Sequence, residues 1–198
     1  RRTHLFRDAS RPLAQRMKPG ASGPRRHRLP RVPGIMEIVW SWLGAFTGIG
    51  LIALLAQWWS KPAALLLIGS YGASAVLVYG APRSPFAQPR NLLGGHVLSA
   101  LTGVAFFQLF PDSQPLAAAL AVATAIALMQ VTRTLHPPGG ATALIAVLGP
   151  KAVHDAGWLF PLPVALGAVI LLAVALAVNN LPGKRRYPEY WLRDPQTP

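Results

Sequence analysis

Carboxylates are nearly missing from the middle of this chain. Between Ile35 and Asn180 there are three, Glu37 ahead of the first long apolar run and Asp112 and Asp155 in polar connections, and none lies within an apolar run. A water-soluble core of that length needs a charged outer face, and these residues supply no material for one. Charged residues make up 13% of the chain, against about 25% in an ordinary soluble domain. The basic residues that do occur are pushed to the ends: ten of nineteen Lys and Arg precede Gly34, and four lie between Lys184 and Arg193. This is the pattern of an integral membrane protein, with the lipid bilayer as its solvent. A net charge of +13 raises nucleic acid as a partner, since basic surfaces bind it by counterion release. Here the basic residues flank apolar spans instead of interleaving with aromatics, so no nucleic-acid partner is expected. The chain has no cysteine, which removes disulfides, thiolate chemistry and cysteine-based metal sites.

Three regions follow. Residues 1–34, rich in Arg and Pro with one acid, Asp8, read as a disordered basic extension: a cytoplasmic tail, a transit peptide, or upstream sequence ahead of a start at Met36. Residues 35–183 hold the transmembrane domain, and 184–198 a cytoplasmic C-terminal tail. A bilayer core about 30 Å thick needs roughly 20 apolar residues in a helix. Four to six segments of an all-α helical membrane bundle are expected, with six favoured: Ile38 to Trp59, Ala63 to Ala81 (interrupted by GSYGAS), Leu92 to Phe110, Leu116 to about Thr132, a short Gly139 to Leu148 run, and Pro163 to Leu181. The short run has ten residues, about 15 Å of helix, and crosses only if the backbone through TRTLHPP also lies at membrane depth. Prolines in PRSPFAQPR end the second segment. Basic flanks put both termini on the cytoplasmic side, which requires an even number of crossings. The expected location is a bacterial inner (cell) membrane, ahead of a plastid membrane.

The segment GASAVLVYGAPR, Gly72 to Arg83, aligns without gaps on GATALIAVLGPK, Gly140 to Lys151, at an offset of 68. Gly72/Gly140, Ala73/Ala141, Ala75/Ala143 and Pro82/Pro150 are identical, and Ser74 pairs with Thr142. Two three-segment repeats, the second upside down, would follow from an odd number of crossings in each. That arrangement builds transporter sites from broken helices near the midplane. Close packing of small residues explains the same echo without any repeat.

RTLHPPGGATAL, Arg133 to Leu144, breaks the helix inside apolar sequence. Pro137 and Pro138 cannot donate backbone hydrogen bonds, and Gly139 and Gly140 let other backbone approach. If the fourth segment continues to His136, Arg133 and His136 share a helical face, and the N–H groups of the next helix face them, an arrangement that attracts anions. Arg133, His136, Gly139 and Gly140 are therefore the first candidates for substrate binding. Arg90, Asn91 and His96, at the entrance of the third segment, are the second. The hydroxyls of Ser74 and Thr142 are a third, with helix packing as the plainer explanation. Neither a metal nor a cofactor is expected, because no carboxylate joins the histidines within a span. No nucleophile stands beside a base, so the chain does not read as an enzyme. Depth discriminates: His136 level with Trp40 and Trp158 would be a loop residue, whereas an ionisable group deeper in the membrane is costly and functional.

RTLHPPGGATAL, GASAVLVYGAPRSPFAQPRNLLGGH, and NNL followed by YPEYW together resemble the HPP family of integral membrane proteins, over about residues 38–192. The resemblance implies four transmembrane helices and a transporter, with nitrite the substrate implicated for plastid and cyanobacterial members. A small oxyanion suits Arg133 and Arg90 for charge, and Asn91 and glycine N–H groups for orientation. His136 or His96 could accept a proton. The function expected is transport of a small inorganic anion by alternating access. The alternative is a non-transporting membrane scaffold or sensor. A homodimer is one way for so small a bundle to shield polar helix faces.

Overall fold

The structure, a computed structural model, describes residues 32–58, 68–183 and 185–192. The chain divides into two units, and the fold is that of the second, Gly34–Pro198. Nearly all of the basic N-terminal extension, the stretch from Trp59 through Pro62, the start of the second apolar segment, Lys184 and residues 193–198 lie outside the described residues.

Among the described residues, four helices are long and apolar enough to cross a membrane. These are α1 (Ile35–Trp58), α3 (Pro89–Leu109), α4 (Gln114–Val131) and α7 (Pro161–Asn180). Two short helices lie among them. One is α2 (Ser70–Ala75), extended by a π-helical turn over Val76–Gly80, and the other is α5 (Pro137–Leu148). A further short helix, α6 (Lys151–Ala156), joins α5 to α7. Helices α3, α5 and α7 open with proline in the first turn, where a missing N–H costs nothing and the fixed φ suits the helix. This is why α3 starts three residues and α5 two residues before the apolar runs. Large side chains such as Trp42, Phe46, Leu54, Leu116, Ile126 and Val169 stay exposed, as lipid-facing residues should.

Small residues set the close contacts. Gly44, Gly48 and Ile52 form the buried stripe of α1, and the Tyr79 ring lies against both glycines. Tyr79 donates to the Leu171 carbonyl (3.0 Å) and Tyr71 to that of Val164 (2.7 Å), so both tyrosines of the short segment anchor it to α7. Helix α5 runs alongside α3 in the same direction, with Gly95 against His136 and Gly103 against Ala143 and Ala146.

One face gathers the ends. Arg185 donates to the Glu37 and Tyr79 carbonyls, Asn179 Oδ1 and Ser41 Oγ at 2.7–3.3 Å, tying the start of α1, the end of the π-turn and the end of α7 together. The 185–192 tail then crosses to the 81–88 loop, where Tyr187 donates to the Ala87 carbonyl (2.8 Å) and the Glu189 N–H to Gln88 Oε1 (2.9 Å). Burial raises the pKa of the Tyr187 hydroxyl, so it remains a donor. Gln88 in turn donates to the Pro82 and Ser84 carbonyls (2.9 and 2.8 Å), fixing the loop above the polar core.

Candidate functional site

Helices α2 and α5 meet side by side and antiparallel. Ser70 pairs with Thr142 and Ser74 with His136, each at 2.8 Å, so the numbering rises along one as it falls along the other. The echoed residues Ser74 and Thr142 thus converge on one group, His96 of α3: Ser74 Oγ lies 2.7 Å from its Nε2, and Thr142 Oγ1 lies 2.8 Å from its Nδ1. His136 Nδ1 faces the Phe86 carbonyl at 2.8 Å. The two imidazole centroids are 5.0 Å apart, and the Tyr71 ring stands edge-on to His96 at 5.2 Å. Ser70, Ser74, His96, His136 and Thr142 are all essentially inaccessible to solvent.

His96 lies seven residues into α3 and three short of its midpoint at Ser99, so the cluster is within about 5 Å of mid-helix. Trp40 adjoins Ser41, which bonds the Tyr79 carbonyl (2.8 Å), whereas Ser74 is five residues further along the short helix, about 7 Å deeper. His136 is therefore buried below Trp40, not level with it. The order of local events explains this depth. After α4 ends, the chain turns back at once, and Asn91 donates to the Leu135 carbonyl (2.8 Å) to press the turn onto α3.

Arg133 does not join the cluster. Helix α4 stops at Val131, and the N–H groups of Arg133 and Thr134 return to the Gln130 and Met129 carbonyls (3.1 and 2.8 Å), closing the helix in a Schellman turn. This sets Arg133 at φ +57° with an exposed side chain, so it shares no face with His136. Arg90 is likewise a clamp: it donates to the Thr132 carbonyl and to that of Leu192 (2.6 Å). The expectation of free N–H groups at the start of α5 also needs correcting. Its first two residues, Pro137 and Pro138, have no N–H, and the Gly139 N–H donates to the His136 carbonyl (2.8 Å). Gly139 serves close packing, because a Cβ there would lie 2.7 Å from Ser99 Oγ and 2.9 Å from the Gly95 carbonyl oxygen. Gly140 has no such neighbour, the nearest atom being 4.0 Å away.

Sequence reasoning missed two members of the cluster. Ser70 was readable, since it stands one helical turn before Ser74 on the same face. The Phe86 carbonyl was not, because backbone acceptors leave no trace in side-chain identity. Among the described residues, no buried side-chain nitrogen or oxygen lacks a partner, so a solute entering here must replace protein hydrogen bonds.

Comparison with known proteins agrees with the helical architecture. Two Dictyostelium discoideum proteins, each named only as a transmembrane protein, are 45% identical to the chain, over 173 residues (85% of the chain) and 159 residues (78%). The chain spans 61% of the length of the first and 51% of the second. No solved structure gives a significant match. The family described as HPP, transmembrane region, matches residues 30–188. That stretch contains every described helix, and the chain therefore belongs to the HPP family of transmembrane proteins.

Proposed function

We propose that the protein carries a small monovalent inorganic anion across the membrane, of the nitrite type, together with a proton. The observation that carries this reading is the buried meeting of two short helices on His96 and His136, with hydroxyls around them and no carboxylate. A buried ionisable group is expensive in a membrane and is retained for function. The groups of this core, imidazole N–H and hydroxyl, donate to an oxyanion, and imidazole is a group that can take up and release a proton. An acid-free core repels no anion. Antiparallel short helices bearing echoed Ser74 and Thr142 also fit a transporter built from inverted repeats.

The test is uptake into liposomes loaded with an anion-sensitive dye, driven by an inward proton gradient. Wild-type protein is expected to take up nitrite, with uptake lost in His136→Gln and Ser74→Ala and retained in Arg133→Gln. Folded protein that passes no anion from a broad panel would sink the transport reading and leave a scaffold or sensor in its place.

A further inference from the structure

Hydrogen counting around Ser74 assigns the core a more specific property. We infer that Ser70, Thr142, His96, Ser74 and His136 form a one-proton switch, in which the two imidazoles take up a single proton between them while the Thr142 hydroxyl reverses direction.

A carbonyl oxygen only accepts, so the bond to Phe86 requires a hydrogen on His136 Nδ1. Thr142 has one hydroxyl hydrogen, and in this structure donates it to Ser70 Oγ (2.8 Å). His96 Nδ1 must then donate to Thr142. Both Nε2 atoms face the same oxygen, Ser74 Oγ, at 2.7 and 2.8 Å; that oxygen bears one hydrogen, and its other acceptor, the Ser70 carbonyl, is farther away at 3.2 Å. Two neutral imidazoles would present two lone pairs to one hydrogen, leaving a buried acceptor unpaired, which is unfavourable. One added proton completes the bonds at both rings, with the Ser70 hydroxyl turning its own hydrogen away from Thr142, from which it now accepts. The charged ring donates its Nε2–H to Ser74, and Ser74 donates to the neutral ring. Ser74 can pass the proton across by accepting from one ring as it gives to the other, with both Nδ1–H groups unchanged.

The uncharged alternative needs only a reversal. Ser70 donates to Thr142, Thr142 to His96 Nδ1, His96 Nε2–H to Ser74, Ser74 to His136 Nε2, and His136 Nδ1–H to Phe86. Five hydrogens then fill the five shorter bonds, and the longer contact of Ser74 Oγ with the Ser70 carbonyl (3.2 Å) goes unused. A second proton would place two cations 5.0 Å apart with no counter-charge, and like charges so close suppress each other's ionisation. Among the described residues no other ionising group relieves this, and Arg83 of the 81–88 loop that contacts His136 is exposed. Helices α4, α5 and α7 contain no titratable residue, α2 offers only Tyr71, and in α3 the other ionisable residue is Arg90, held at the surface end. The single added charge is likewise unpaired until an anion arrives. Resting on the transport reading, this links one proton to one monovalent anion, each favouring the other's binding.

Solid-state NMR of the full chain, labelled with nitrogen-15 at histidine and reconstituted in lipid, reads these hydrogens directly. At high pH, His96 should carry its hydrogen on Nε2 and His136 on Nδ1. As pH falls the pair should gain one proton, with His96 Nδ1 becoming protonated and His136 Nδ1 protonated throughout. Thr142→Val should remove this linked behaviour and Thr142→Ser restore it. Identical tautomers on both rings at high pH, or two independent proton uptakes, would overturn the inference. In vesicles, one proton should enter with each anion, without net charge movement, and any other ratio counts against the switch. A chain that moves no anion defeats the transport reading while the NMR result still decides the switch.

Discussion

Two adjacent glycines should respond oppositely to the same substitution. At Gly139, an alanine Cβ would sit 2.7 Å from Ser99 Oγ and 2.9 Å from the Gly95 carbonyl oxygen. The serine can rotate, but the carbonyl belongs to α3 and cannot, so α5 must retreat by several tenths of an ångström. Overpacking of this kind costs about 1–3 kcal/mol. The retreat also draws His136 away from Ser74, since His136 immediately precedes α5. At Gly140 the nearest atom is 4.0 Å away, and alanine there gains about 0.5–1 kcal/mol from its better helix propensity. With roughly 2–4 °C per kcal/mol for a chain of this size, thermal unfolding in detergent should fall by about 2–12 °C for Gly139→Ala and stay level or rise slightly for Gly140→Ala. Uptake should drop only in the first. Equal responses, or a stable and active Gly139→Ala, would refute the packing account of the PPGG break.

Two further variants probe how the short helices are held. Gly48→Ala would drive its Cβ into the Tyr79 hydroxyl, at a cost of about 1–3 kcal/mol; adding Tyr79→Phe should recover about 1 kcal/mol of it in a double-mutant cycle read by thermal unfolding. Arg185→Lys keeps the charge but loses the planar fork that serves the Glu37 and Tyr79 carbonyls, Asn179 and Ser41. The amides of Tyr187 and Glu189 should then exchange hydrogen faster, and unchanged exchange would count against Arg185 as the anchor of the tail.

The long helices were legible because a membrane span is written in composition: an apolar run without carboxylates has few other solutions. The break at Pro137 to Gly140 was legible for a related reason, since proline and glycine act on the backbone locally. Ser74 and Thr142 were found by comparing the chain with itself, and that comparison works where two segments meet at equivalent positions. Reasoning failed where the next step depended on whether a helix continues. One left-handed residue after α4 separates Arg133 from His136, and a left-handed arginine has no sequence signature. The locking of the 81–88 loop was hidden similarly, because Ala87, Pro82 and Ser84 take part through their carbonyls. Arg90 and Asn91 were identifiable as unusual at a helix entrance, but the same residue types serve a clamp or a binding site, and their partners decide which.

Arg133 offers the sharpest contrast between those two outcomes. Its left-handed conformation costs an L-residue about 1–2 kcal/mol relative to glycine, and glycine is the residue that usually closes a Schellman turn. Part of that gain is lost because glycine frees the unfolded chain, by about 0.5–1 kcal/mol. The net for Arg133→Gly is a stabilisation of about 0–1.5 kcal/mol, which leaves the unfolding temperature level or raises it by up to about 6 °C. The arginine side chain is exposed and separate from the histidine cluster, so uptake at saturating anion should be unchanged. A charge that binds the transported anion would give the opposite result, with uptake falling and stability indifferent. Measuring both quantities on one preparation separates the two roles. A variant that is more stable and inactive would show that the chain bears backbone strain at residue 133 to keep a working arginine there, and would move the anion's entry point to that surface.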